Sequence, residues 1–432
     1  MQFIQSKRLV TSLSILCLIG VFAFAWFDKP GVELAGFAVA QAPLPADSAA
    51  QVPVYTSRFA SSDLDDFVHS SAVAALPDGG LMSVWFAGTR EGAADVQIRG
   101  ARYDAQSGEW GEEMVLATRD STRDGIQKYI RKLGNPVIVM TPDERLWLFY
   151  VSVSLGGWAG SAINATYSDD LGTSWSTPRQ LVTSPFLNIS TLVRSAPVVH
   201  ADGSIGLPVY HEFLGKFSEY LYLDRDGQVI DKFRISHGTD NLQPTVVPLD
   251  GQRAVAMLRY AGKGERHVLA SRTEDGGRTW SEPQALQPQN PNSSLAAVGT
   301  SGHGLLVALN DLSSGRFRLS LYGTNADMSQ WRPLVELDQS PDPQGNPFAE
   351  AEYRNLISEE FLRSSGERRQ GLLPDFMSNI DQRNCKRGEC DFEYEYPYFI
   401  RGSNGFYHVV YSWNNTFIKH VSFNDAWLEE RL

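Results

Sequence analysis

The 432-residue chain is 42% hydrophobic and 20% charged, the balance of an ordinary soluble globular protein. Its formal net charge of −12 argues against nucleic acid as a partner, for which a basic stripe is expected. An acidic substrate is not excluded, because a local cationic pocket can sit on an acidic protein.

The first predicted element is a membrane signal. Lys7 and Arg8 precede an apolar run from Leu9 to Phe27 that is long enough to cross a bilayer. Basic residues ahead of the run leave the N-terminus in the cytoplasm and send the remainder out, to the periplasmic or extracellular side. The run reads as an uncleaved transmembrane anchor or as a signal peptide cut after Ala40-Gln41-Ala42. That small-residue site lies far beyond the apolar run, which favours the anchor. Residues 28–52, rich in Ala, Pro, Gln and Ser, read as a flexible linker, and 53–432 as the folded domain.

Six apolar strand–turn–strand segments follow. They are Ser71–Phe86, Asn135–Tyr150, Ser195–Tyr210, Gln243–Leu258, Ser294–Leu309 and Tyr396–Tyr411, each with Gly or Asp at its turn. Alternation and turn chemistry make each a hairpin. After the second and fourth hairpins come SDDLGTSW (Ser168–Trp175) and TEDGGRTW (Thr273–Trp280), with Asp170 and Asp275 in register. Degenerate forms ending at Trp110 and Trp331 follow the first and fifth. In such an octet the Asp can bond amides ahead of it, the Gly takes a positive φ and the Trp is buried. Six hairpins at this spacing predict an all-β chain, a six-bladed β-propeller of four-stranded blades. The chain before Val68 is expected to supply the closing outer strand. Residues 341–391 break the period and read as an insertion before the last blade. Within it, Cys385 and Cys390 are close enough for a disulfide in an oxidising compartment, the alternative being two free thiols. No His or second Cys pair accompanies them, so no metal is expected; Cys17 lies in the apolar run.

Blade geometry assigns faces. The start of each first strand and the end of each second strand share the end opposite the hairpin turn, and the octets lie with the turns, away from the pocket. Before the hairpins stand His69, Asn135, Arg194, Asn241 with Gln243, Asn292, and Tyr394 with Tyr396. After them come Arg90, Glu91 and Asp95, then Trp158, His211, Glu212, Arg259, Asn310, and Trp413 with Asn414; Tyr129, Arg131 and Lys132 approach the second hairpin. Arg90, Arg131, Arg194 and Arg259 could hold carboxylate or phosphate bidentately. His211, Glu212 and Tyr396 offer acid, base or nucleophile.

The octets resemble the Asp boxes of the sialidase (neuraminidase) superfamily, and the order of hairpin and Asp box resembles that family from about residue 53 onward. The resemblance implies an exo-α-sialidase-like glycoside hydrolase with three arginines for the substrate carboxylate. It also implies a Tyr nucleophile activated by a Glu, with an Asp as acid/base. NLQPTVVPLDGQRAVAMLR (Asn241–Arg259) is similar to the family's strand, hairpin and Arg, which nominates Arg259, with Gln243 near where a Glu is often seen. EYPYFI nominates Tyr396 (or Tyr394) as nucleophile, AGTREGAADVQI nominates Asp95 as acid, and Glu212 is the candidate partner of the Tyr. Arg194 joins Arg259 for the carboxylate. The family's Arg-Ile-Pro is replaced by HSSAV, leaving His69 there, and no third arginine is assigned.

An acidic glycan or polysaccharide is therefore the expected partner, with no cofactor. The alternatives are a lyase on uronic-acid glycans, using Arg259 with His69, His211 and Tyr396, and a non-catalytic glycan-binding propeller.

Overall fold

The computed structural model describes residues 2–27, 32–39, 52–64, 66–184, 188–238, 240–300, 302, 304–379 and 385–431. The chain divides into two units, Met1–Leu34 and Ala35–Leu432. The first is the helix Gln2–Phe27, whose described side chains, residues 10–24, are all exposed. Among the described residues no helix is long and apolar enough to cross a membrane, so the expected span gains no support from the structure. The expected cleavage site lies outside the described residues, as do residues 28–31 and 40–51 of the expected linker. Part of that linker is docked rather than loose. Phe37 is buried in the second unit, bridges to His200, and donates its backbone N–H to the Gly251 carbonyl at 2.8 Å.

Among the described residues the second unit holds six antiparallel sheets of four or five strands and one small three-stranded sheet, and each expected hairpin forms the first two strands of one of the six. Sheet one begins with Phe67–Ala75 and Leu81–Gly88, sheet two with Lys132–Met140 and Leu146–Val153. Sheet three carries Leu192–Val193 and Val198–Val199 on Ile205–His211. Sheet four begins with Asn241–Pro248 and Ala254–Tyr260, sheet five with Ala296–Gly299 and Leu305–Leu309, sheet six with Tyr394–Arg401 and Tyr407–Trp413. The first strand of sheet one packs against those of sheets two and six. Sheets two to six pack in succession, so the contacts close a ring. Sheet six is completed from the other end of the chain: Tyr55–Phe59 pairs with Phe417–Phe423, as expected.

Both octets join the third strand of their sheet to the fourth. The Asp170 carboxylate accepts from the Ser174 N–H at 2.8 Å and from the Ser168 and Ser174 hydroxyls. These bonds hold its carboxyl down to about 2. Gly172 takes φ +93°, a conformation open to Gly at no steric cost, and Trp175 donates to its carbonyl. Asp275, Gly277 and Trp280 repeat this pattern. In the degenerate copy of sheet five Met328 stands at φ +59° in the role of that Gly, and Trp331 donates to its carbonyl at 2.8 Å.

The expected insertion holds the helices Glu350–Ser364 and Leu373–Asn379 and a small sheet in which Cys385 and Cys390 pair and form a disulfide. Tyr353, Ile357, Phe361 and Phe376 bury its apolar face against sheets five and six. A buried ion cluster pins it: Lys419 of sheet six reaches Glu360 of the helix at 2.7 Å and Asp338 of sheet five at 2.9 Å.

Candidate functional site

The pocket end of the ring is marked by backbone strain. Ser70, Asn135, Gln243 and Tyr396, each on the first strand of its sheet, have φ of 56°, 43°, 51° and 53°, and Asn292 just before sheet five has 63°. Non-glycine residues rarely adopt this region, and a bulky Tyr there is a genuine outlier. At the four strand positions the register with the second strand shifts, between His69 and Ala72, Gly134 and Val137, Leu242 and Thr245, and Glu395 and Tyr398. Three of these bulge residues precede a proline (Pro136, Pro244, Pro397), which has no N–H to give the ladder. The bulge breaks strand alternation, so neighbouring side chains can serve one site.

Tyr396 is half-buried at the centre. The His69 ring meets it edge-on with centroids 4.5 Å apart, and the guanidinium of Arg194 lies 5.1 Å from its ring centre. The His69 Nδ1 is 3.6 Å from the Glu395 carboxylate. Burial pushes the His69 imidazole below its ordinary range, against the raising pull of Glu395 and Glu91. Glu395 is itself buried and accepts a hydrogen bond from Arg316. Burial acts to raise its carboxyl, but His69 and Arg316 outweigh it and hold the group below the usual carboxylate range. Arg316 also donates to the Asn292 carbonyl at 3.3 Å.

A second chain of contacts starts from Arg259. Its Nε donates to Asn292 Oδ1 at 2.7 Å and its Nη1 to Gln243 Oε1 at 3.2 Å. The Gln243 and Asn135 amides both donate to the buried Tyr210 hydroxyl, at 3.5 and 3.2 Å. Glu212 is half-buried, and desolvation pushes its carboxyl up against the lowering effect of Arg259, Lys216 and Lys132. On the sheet-two side Trp158 donates to Glu91 at 3.2 Å, and the Lys132 ammonium lies 3.6 Å from the Trp158 ring centre. Every sheet thus contributes to one end of the ring.

Several expected residues stand elsewhere. Arg194 is fully buried and gives its donors to the carbonyls of Ser71, Tyr396 and Pro397, so its fork faces the chain's own backbone rather than an open pocket. His211 turns to the buried Glu219 at 2.7 Å and stacks on Phe217, because successive strand residues point to opposite faces. Asp95 is exposed and bonded to Thr89, chiefly through the Thr89 hydroxyl, which holds its carboxyl low; a general acid needs the reverse. Arg90 is exposed, and Arg131 is an exposed side chain that donates to the Gly156 carbonyl at 2.9 Å. Glu395 and Arg316 were not nominated from the sequence. Alternation turns Glu395 away from Tyr396 until the bulge is known. Arg316 lies in the loop leaving the second strand of sheet five, past the strand end at Asn310.

A family model described as a BNR repeat-like domain matches residues 79–409. No curated protein matches by sequence. Among solved structures the chain is similar to the Hadza microbial sialidase Hz136, at 13% identity and a TM-score of 0.58, over 82% of this chain and 65% of that one. It thus spans less than two thirds of that sialidase. It is also similar to the NanB sialidase from Streptococcus pneumoniae (10% identity, TM-score 0.59, 85% and 70% covered). The α-L-arabinanase of Penicillium chrysogenum has 14% identity and a TM-score of 0.56, with 88% and 100% covered. At such identities the likeness establishes the fold alone.

Proposed function

The chain belongs to the BNR repeat-like domain family, and from that premise we propose an exported, six-bladed β-propeller that hydrolyses terminal acidic sugars from glycans. The observation that carries the reading is the meeting of Tyr396, His69, Glu395, Arg316 and Arg259 at the strained end of the first strands. While Arg316 pairs with Glu395, Arg259, positioned by Asn292, holds the sugar carboxylate. That anionic group repels a carboxylate nucleophile, and the neutral Tyr396 phenol avoids the repulsion. Tyr396 passes its proton to His69, which burial keeps neutral and able to accept, and Glu395 stabilises the imidazolium. The phenol oxygen bonds the anomeric carbon as the glycosidic C–O bond breaks. Glu212, whose carboxyl burial pushes up, gives its proton to the departing oxygen. Water then attacks the glycosyl–tyrosine bond, losing a proton to Glu212 while His69 returns one to Tyr396.

A second reading, β-elimination on a uronate, is favoured by His69 standing where the resemblance expects an arginine. There Arg259 neutralises the uronate carboxylate and His69 or Tyr396 removes the C5 proton as the C4–O bond breaks, leaving an unsaturated sugar. Incubation with fluorogenic sialosides and with uronate polysaccharides separates the two. Release from sialosides supports hydrolysis, whereas unsaturated-uronate absorbance without sialoside turnover overturns it. Binding to both panels with turnover of neither leaves a glycan-binding propeller. Export is supported by the Cys385–Cys390 disulfide and by the basic-then-apolar N-terminus. Cell fractionation that finds the protein in the cytoplasm overturns it.

A further inference from the structure

Arg194 is a costly residue by elementary electrostatics. It is 1% exposed, yet among the described residues no carboxylate lies within ion-pair distance of it. Taking a guanidinium out of water carries a large desolvation penalty, which a partner charge ordinarily offsets. Here the partners are three carbonyls, Ser71 at 3.2 Å, Pro397 at 3.1 Å and Tyr396, and its Nε has none. Those carbonyls belong to two bulges, those of Ser70 in sheet one and Tyr396 in sheet six. A side chain that directly follows a strand of sheet three therefore reaches sheets one and six and clamps both left-handed turns.

The charge also has an address. Tyr396 is faced by His69, Arg194 and Arg316, with Tyr210 close by. His69 is neutral by burial, and the charge of Arg316 is spent on Glu395. The guanidinium with no anion of its own is the one 5.1 Å from the Tyr396 ring centre. Burial lowers its affinity for the proton only to about 10, so it is a cation at neutral pH.

The geometry points to Arg194 as a positioning residue that clamps Tyr396 in its left-handed backbone and supplies the buried counter-charge for negative charge developing on the Tyr396 oxygen. The inference rests on the reading of Tyr396 as a nucleophile, but its test needs no glycan. The full chain is treated with a phenolate-selective aryl sulfonyl fluoride, and labelling at each tyrosine is followed by peptide mass spectrometry. In the wild type, half-buried Tyr396 is expected to label faster than Tyr129, which is 66% exposed. Arg194→Met is expected to slow labelling at Tyr396 at least tenfold without changing Tyr129, and Arg194→Lys, which keeps the charge but loses the fork, to restore most of it. A merely structural role does not give rescue by Lys. Faster labelling of Tyr129 than of Tyr396 in the wild type overturns the proposal, and this comparison decides alone if Arg194→Met does not fold. Wild-type labelling rates at Tyr396 in a folded Arg194→Met variant overturn it too. If labelling behaves as expected while no glycan is turned over, the counter-charge stands and the hydrolase reading falls.

Discussion

The two ends of the same strands differ in which residues carry left-handed backbone. At the turn end, most positive φ falls on glycine, as at Gly172 and Gly277 in the Asp boxes and Gly203 in a hairpin turn, with Glu144, Leu171 and Met328 as exceptions. There the polar groups are satisfied by the loop itself, as with Asp170 and Asp275, and the buried histidines are uncharged. At the pocket end, positive φ falls on Ser70, Asn135, Gln243, Asn292 and Tyr396, and charged groups are buried against one another. The turn end is built for stability. The pocket end carries strain that an all-glycine version would avoid, and gains side chains aimed at one point.

The comparison breaks most visibly at Tyr396. Tyr396→Phe keeps the ring and removes the hydroxyl; kcat/KM on the substrate is expected to fall by roughly 10²–10⁴-fold with the melting temperature unchanged, as read from steady-state kinetics beside calorimetry. A melting temperature that drops in parallel would assign the hydroxyl to the scaffold instead. Next comes Arg316→Met, which leaves the buried Glu395 without its cation. Denaturant unfolding is expected to show a loss of about 3–5 kcal/mol, with Glu395→Gln in the same chain recovering much of it. An additive double variant would mean that the pair is not coupled.

At the turn end the largest expected effect is acid sensitivity. His408 and His420 are buried together 3.1 Å apart, and desolvation takes His408 from 6.5 to about 4 and His420 well below its ordinary range. As pH falls below 6.5 the unfolded chain binds these protons and the folded chain does not, so stability is full above 6.5 and is lost downward towards 4. For His408 alone the loss is about 3 kcal/mol, and His408→Asn is expected to flatten that slope in melts recorded across the range. The smallest effect is Gly277→Ala. Its φ of +99° is closed to Ala, and a Cβ there meets Tyr220 at 3.2 Å, so about 1–3 kcal/mol of stability is expected to go, with kcat untouched.

Legibility follows the same divide. The hairpins, the Asp boxes and the closing strand could be read because alternation, Gly-Asp turns and repeated octets are local signals. At the pocket end the bulge residues Asn135, Gln243 and Tyr396 were found, each beside a proline that marks the break in the ladder. What sequence does not carry is direction. Arg194 sits at the correct height, but nothing local says that its fork turns to the backbone of another sheet. His211 and Glu212 are adjacent in sequence, but the last strand residue and the one that follows it face apart. Glu395 is hidden for the converse reason, since only a left-handed Tyr396 brings consecutive side chains to one place. Arg316 stands in a loop six residues past Asn310, where strand alternation no longer says which residue faces the site.

Pairing Tyr55–Phe59 with Phe417–Phe423 has a consequence for how the molecule comes into being. During synthesis the earliest strand of the ring emerges first and waits for a partner that is among the last to be made. Until then the sixth sheet has an open edge, and non-local pairings of this kind form slowly. Sheets one to five can each assemble from contiguous sequence, but the ring locks only when its two ends meet.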